Sequence, residues 1–321
     1  SNEETHFVLQ RINTQVFKQP RLIMQNMCIF TEHMRRRARQ EGYSWEMPRV
    51  LKTRLGEDFY LDAENNFWRA ISYVQGARSF DTITSTHHAR EVGCALGTFQ
   101  HLISDLPVES LADTLEGFHI MPRYLENYDL TRSRNGFISR TEVRLGMEFI
   151  AKRREWACVL ENAREGGKLQ LRPVHGDPKV NNVMIEEQTG RAISLVDLDT
   201  VTPGLIHYDI GDCMRSGCNP LGEETERWEA VHFDPGIGEA ILTGYLAEAR
   251  HFLTPADYKY LFDSIRLLAF ELGVRFFSDH LAGNIYFKVK HPDHNLLRAL
   301  VQFKLTESIE AHEREIRSII Q

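Results

Sequence analysis

From His87 onward apolar residues recur every three or four positions, whereas before it they gather in short runs of β-branched and aromatic residues parted by turn formers. The first pattern belongs to helices with one buried stripe, the second to half-buried strands. Strands are expected over residues 6–12, 49–53, 57–62 and 66–74, the last two joined by a hairpin that turns at Asn65-Asn66. One helix interrupts them over residues 20–40, opened by Pro20 and striped by Ile23, Met27 and residues 30–34. Beyond a break at 74–81, helical spacing runs through Val92, Leu96, Phe99 and Ile103, over 144–165 up to Gly166-Gly167, and over 239–252, 255–280 and 294–317. A strand-rich lobe of residues 1–76 and a mainly helical lobe of residues 77–321 make an α+β, two-lobed plan, with 174–200 an island of strand in the second lobe.

Composition narrows the functional classes. Of 321 residues, 42% are hydrophobic and 26% charged, ordinary values for a globular protein. A formal net charge of −7 lacks the basic excess of a nucleic-acid binder, yet leaves room for an anionic substrate in a locally positive cleft. No apolar run reaches the length of a membrane span, so no membrane partner is expected. SNEETHFVLQ has no basic stretch leading into an apolar core, which argues against a signal peptide; Ser1-Asn2 fits a cloning remnant. Cys28, Cys94, Cys158, Cys213 and Cys218 form no C-x-x-C pair, which suits reduced packing thiols in a cytoplasmic protein, expected to be a monomer. There is no internal repeat.

The chemistry gathers in residues 174–200, VHGDPKVNNVMIEEQTGRAISLVDLDT. NVMIE and AISLVD are β-compatible runs around Thr189-Gly190, so they pair as a hairpin and set Asn182 opposite Leu195 and Val196, at the same end as Asp197. Asp177 precedes Asn182 in a loop that Pro178 keeps from becoming helix. Asn182 and Asp197 offer the hard oxygens that Mg²⁺ takes together with phosphate oxygens, and Asp177 is left to accept a hydrogen bond from a nucleophile. These are the parts of a phosphoryl-transfer site. An isolated polar turn whose acids merely cap strands has no need of the hairpin and the Asp that comes after it.

The order His175-Gly176-Asp177, Asn182, Asp197 is similar to that of protein kinases, but no D-F-G, A-P-E or long activation segment follows. Instead VDLDTVTPGLIHYDIGDCMR resembles the aminoglycoside phosphotransferase and choline kinase superfamily. Within it, FWRAISYVQGARSFD, HGDPKVNNVM, TGRAISLVDLDTVTPG, YDIGDCMRSG and ELGVRFFSDHLAGNIYFKVKHPDHNL most resemble the N-acetylhexosamine 1-kinases. The resemblance implies a two-lobed protein-kinase-like fold, ATP and Mg²⁺, and transfer to the anomeric hydroxyl of an amino sugar. It implies Asp177 as the catalytic carboxylate and Asn182 and Asp197 as metal ligands, with Asp199 adding to the metal or substrate site. Backbone groups of Ser72, Tyr73 and Val74 are implied for adenine, and Arg275 and Tyr286 for the sugar or the transferring phosphate. Asp209 is expected as a helix N-cap supporting the catalytic loop, and Asp212 as structural. Glu271, Arg275 and Asp279 stand at i, i+4 and i+8 on one helix face; by spacing alone they serve equally as a salt-bridged solvated stripe.

Two departures bear on the nucleotide. No G-x-G-x-x-G occurs, so the small lobe is expected to lack the leading strands and the Gly-rich loop. The resemblance also implies a Lys or Arg on the first strand, VLQR, that contacts the phosphates; Gln10 stands at its place, with Arg11 beside it as the expected phosphate contact and Glu32 as its partner. An aminoglycoside, choline or homoserine kinase of the same fold, or a nucleotide or sugar binder without turnover, remains open. The acidic stretch NPLGEETERWE, residues 219–229, keeps a cationic acceptor among the alternatives.

Overall fold

The computed structural model describes residues 6–135 and 140–321. Residues 1–5, which include the expected cloning remnant and the start of the stretch inspected for a signal, lie outside them. The strands are β1 (Phe7–Arg11), β2 (Val50–Leu51), β3 (Tyr60–Leu61), β4 (Phe67–Ser72), β5 (Ala77–Arg78), β6 (Arg172–Val174), β7 (Val183–Glu186), β8 (Ala192–Leu195) and β9 (Thr202–Gly204). The helices are α1 (Pro20–Glu41), α2 (Thr86–Ile103), α3 (Met121–Asn135), α4 (Thr141–Ala157), α5 (Val159–Glu165), α6 (Ile206–Gly217), α7 (Pro235–Ala249), α8 (Pro255–Leu281), α9 (His294–Ala311) and α10 (Glu313–Ile320).

In the first sheet β4 is central, with β1 antiparallel on one side and β2 and β3 on the other. The register sets Gln10 opposite Arg69 and Arg11 opposite Trp68. Phe67, Arg69 and Ile71 of β4 are buried and alternate with half-buried Trp68, Ala70 and Ser72, the period-two pattern of a one-sided sheet. The expected hairpin is present: Asn65 takes the left-handed conformation, and Asp62 accepts hydrogen bonds from the Asn66 amide and the Trp68 indole.

Helix α1 begins with Pro20 in its first turn and ends at a left-handed Gly42, the asymmetry that these two residues favour. Its start packs Ile23 and Met24 against Ile12 and Phe67 under the sheet. Its later residues Met27, Phe30, Met34 and Ala38 belong to the main core with α2 and α7. Arg37 strengthens that joint by donating to Glu41, to Asp105 and to the His101 carbonyl in the last turn of α2. A helix inside the 1–76 segment is thus built into the core of the helical part.

The second part is mainly helical around α8, which starts at a Thr254–Asp257 capping box and buries Phe262, Phe270, Phe276 and Phe277 on several faces. β7 and β8 form the expected hairpin, extended by β5, and β6 pairs with β9 beside it. Three features differ from the periodicity. The 144–165 helix is broken at Cys158, and the 294–317 helix at His312. Helix α3 is absent from the sequence expectation, because Met121, Leu125 and Tyr128 are a sparse stripe in a polar segment. Cys213 and Cys218 are packed in the core, and no helix among the described residues is long and apolar enough to cross a membrane.

Candidate active site

Between β6 and β7, residues 175–182 have little repetitive structure, so buried side chains hold them. Asp209 accepts from the His175 amide at 2.9 Å, the Gly176 amide at 2.8 Å and Gln100 Nε2 at 3.0 Å. It does not cap its helix as expected: Leu205 stands at the N-cap of α6 and Asp209 lies in the first turn, its carboxylate turned toward the loop. Gly176 has φ +86°, and a Cβ there would lie 2.7 Å from the Thr200 carbonyl oxygen, so only glycine fits. His175 accepts from the Asp177 amide on Nδ1 and donates from Nε2 to the Val196 carbonyl, which places its proton on Nε2.

The hairpin then brings the next groups together. The Val196 amide donates to the Asn182 carbonyl, setting these residues opposite one another. Asn182 Nδ2 donates to the Asp177 carbonyl at 2.7 Å, which leaves Oδ1 as its free acceptor. Asp197 is exposed and left-handed, with φ 61° and ψ 56°. It ends the strand and starts the 3-10 turn Leu198–Thr200, so strand alternation does not carry Asp199 onto the face of Asp197. Asp199 is instead engaged by Arg69, Nη1 to Oδ1 2.5 Å. Arg69 Nε also donates to Gln10 Oε1 at 3.0 Å. A cation thus stands beside Gln10 on the neighbouring strand. Arg11 points to the exposed face of β1, one residue out of phase with Gln10, and exposed Glu32 pairs with Arg35 of its own helix. Neither lies with these groups.

Asp177 is half-buried, with Lys179 Nζ 2.9 Å from its Oδ2. Burial, then the charge of Asp212, pushes its carboxyl above the usual range, against the pull of Lys179. Asp212 is held by Arg215 at 2.7 Å.

At the nucleotide end expected from the sequence, Ser72 is consumed by the sheet: its amide donates to the Arg49 carbonyl and its Oγ accepts from the Arg49 amide. Tyr73 is exposed. Val74 packs with Ala77, Met184, Ile193 and Val196 in a small apolar cluster beside the hairpin.

On the other side, a cavity of ≈ 830 Å³ is lined by Phe118, Tyr124, Arg275, Asp279, Tyr286 and Phe287 among others. The Arg275 guanidinium carbon stands 5.3 Å from the Phe118 ring centre, 5.1 Å from Tyr124 and 5.6 Å from Phe287. Burial opposes its charge, but Tyr124, Glu271, Tyr286 and Asp177 together hold it more firmly protonated. Asp279 accepts from the amides of Ile285, Tyr286 and Phe287 and from Asn295 Nδ2, and so shapes the loop that presents Tyr286. Glu271 is 1% exposed and pairs with His119, so the Glu271–Arg275–Asp279 face is an internal one. The sequence reading missed Arg69, Lys179 and His119. Lys179 was visible two residues after Asp177; Arg69 needed the strand register, and His119 carried no local signal.

Asn182 Oδ1 and the Asp197 carboxylate are oxygen donors of the kind Mg²⁺ takes. Among the described residues no three His, Cys, Asp or Glu side chains cluster as a metal site.

The model of the APH phosphotransferase enzyme family matches residues 3–252. The fold is shared with an aminoglycoside phosphotransferase from Alicyclobacillus acidocaldarius, at TM-score 0.66 and 14% identity over 99% of this chain and 88% of that one. It is shared with a microcompartment-associated aminopropanol kinase, at TM-score 0.64 and 14% identity over 97% and 88%. A spectinomycin phosphotransferase in complex with ADP and spectinomycin matches at TM-score 0.55 and 12% identity over 98% and 88%. The small sheet and the larger helical part are therefore those of a kinase-like fold, and the chain belongs to the phosphotransferase enzyme family.

Proposed function

We propose that this phosphotransferase moves the γ-phosphate of ATP to the anomeric hydroxyl of an N-acetylhexosamine, giving the sugar 1-phosphate. The observation that carries the acceptor class is the wall around Arg275. Three rings surround a cation, but the cation is the protein's own guanidinium, so a quaternary or protonated amine has no aromatic cage to enter. Lys18, Arg123 and Arg275 offset Asp113 and Glu116 around the cavity, and the Asp279 oxygens are consumed by backbone amides. In the acidic 219–229 stretch, Glu223 binds Arg215 and Arg298, and Glu224 binds Lys290. A neutral, hydroxyl-rich ring with aromatic faces to stack on suits this lining better than a polycation.

In this reading Asp177 accepts the acceptor's hydroxyl proton as the oxygen bonds to the γ-phosphorus and ADP leaves. Its raised pKa makes it the stronger acceptor. Lys179 neutralises it at rest and stands ready for charge developing on the phosphoryl group. Asn182 and Asp197 would hold Mg²⁺, which supplies charge neutralisation at the phosphates. Arg69 gives the phosphates a fixed cation from β4, and the Tyr73 and Val74 backbone, above the apolar patch, receives adenine. Arg275 and Tyr286 orient the sugar.

The test is ADP release from Mg-ATP against N-acetylglucosamine, N-acetylgalactosamine, kanamycin, choline and homoserine. Release is expected with the acetylated hexosamines alone, and Asp177→Asn should lower it about 10³-fold. Release with kanamycin or choline alone would replace the acceptor while keeping the chemistry.

A further inference from the structure

His119 joins the acceptor wall to the catalytic loop, and the phosphoryl-transfer step itself gives it no task. It is 5% exposed and left-handed at φ 61°, a conformation that a residue with a Cβ keeps only where its surroundings enforce it. Its Nε2 lies 2.8 Å from the Gly176 carbonyl oxygen, which can only accept, so that nitrogen carries a proton. Its Nδ1 lies 2.9 Å from Glu271 Oε1 on α8, and Glu271 is buried. An imidazolium facing a carboxylate satisfies both contacts. Gly176, the residue before Asp177, is then gripped from two sides, its amide by Asp209 and its carbonyl by His119. At the other end of the pair, Arg275 Nη1 stands 3.9 Å from Glu271 Oε1, and Oε2 is buried without a hydrogen-bond partner among the described residues. The adjoining Phe118 ring packs on the imidazole at 3.9 Å and lines the cavity.

We infer that His119 is a positioning residue for phosphoryl transfer: shared between Glu271 and the Gly176 carbonyl, it fixes the backbone of Asp177 relative to the wall that binds the acceptor. This rests on Asp177 being the group that takes the acceptor's proton. Around the imidazole stand Glu271 and Arg275 from α8, Tyr208 and Asp212 from α6, Tyr124 from α3, and Asp177 one residue past Gly176. Burial disfavours the imidazolium, but Glu271, the two hydrogen bonds and Asp212 outweigh it and raise its pKa.

Two measurements test the inference. Amide hydrogen exchange on the free protein needs no substrate. In His119→Gln the amides of residues 175–182 should exchange about tenfold faster, with α9 unchanged; equal exchange in the loop overturns the inference. In steady state, His119→Gln and Glu271→Gln should each lower kcat about tenfold with nucleotide and acceptor KM within about threefold. The alkaline limb of kcat should move to lower pH in Glu271→Gln, since the imidazolium loses its counter-charge. A change in KM alone, or an unmoved limb, overturns the inference. Should the wild-type protein transfer phosphate to no acceptor, the reading of Asp177 fails, and the exchange measurement still decides whether His119 holds the loop.

Discussion

Arg69 carries the charge that Gln10 does not. The two face each other across β4 and β1, so a cation on either strand reaches the same place, and the period-two pleat keeps Arg11 out of it. Arg69 is 2% exposed and Asp199 15%. Arg69→Met therefore leaves a buried carboxylate without its partner, and should cost about 3 kcal/mol in denaturant unfolding, with a raised nucleotide KM. Arg69→Met with Asp199→Asn should cost less than the single change, because the stranded charge is gone. Arg11→Ala should stay within about 0.5 kcal/mol with unchanged nucleotide KM; an equal loss there would return the phosphate contact to β1. Asp177 sets the second prediction. Its pKa is raised, so the acid limb of kcat/KM should lie above the ordinary aspartate value of about 3.9. Lys179→Met removes the charge that pulls it down and should shift the limb further up. The same shift has a stability sign. The folded state holds this proton more tightly than the unfolded chain, so Asp177 reduces stability as pH rises from the ordinary to the raised pKa, and the loss is complete above it. Asp177→Asn should raise the melting temperature at neutral pH while removing turnover, and a fall in both would contradict this.

Among elements, the crossing of α2 and α7 is the tightest. A Cβ on Gly93 would lie 2.0 Å from the Ile241 carbonyl oxygen, and one on Gly244 2.1 Å from that of Arg90. The two backbones touch through reciprocal glycines, and Gly93→Ala must push the helices apart. The expected cost is about 3 kcal/mol, measured by denaturant unfolding; a change under about 0.5 kcal/mol would show that the crossing yields freely. Spacing identifies α2 and α7 as helices but gives no sign of their contact, since a glycine in a helical pattern reads as a weak helix former until its neighbour is known. The β7–β8 hairpin is readable because turn, alternation and register are local. Helix α3 is not, because its buried stripe is short, and the breaks at Cys158 and His312 lie inside continuous apolar periodicity.

For the whole molecule, charge counting along the chain and charge pairing in space give different pictures. The 219–229 stretch is acidic in sequence, yet Glu223 and Glu224 are occupied by cations from α6, from α9 and from the loop before α9. The stripe Glu271, Arg275 and Asp279 divides among three tasks: one residue braces the loop through His119, one lines the cavity, and one folds the segment bearing Tyr286. The α+β plan, the hairpin and the order Asp177, Asn182, Asp197 are already legible in the chain, because each depends on residues within about one turn or one hairpin of one another. Only three-dimensional packing settles that Arg69 pairs with Asp199 and Gln10, that Asp209 and His119 hold Gly176, and that the strand ends at Asp197 before it reaches Asp199. Those outcomes depend on register, on a left-handed residue at the end of a strand, and on buried partners far apart in the chain, none of which leaves a periodic trace.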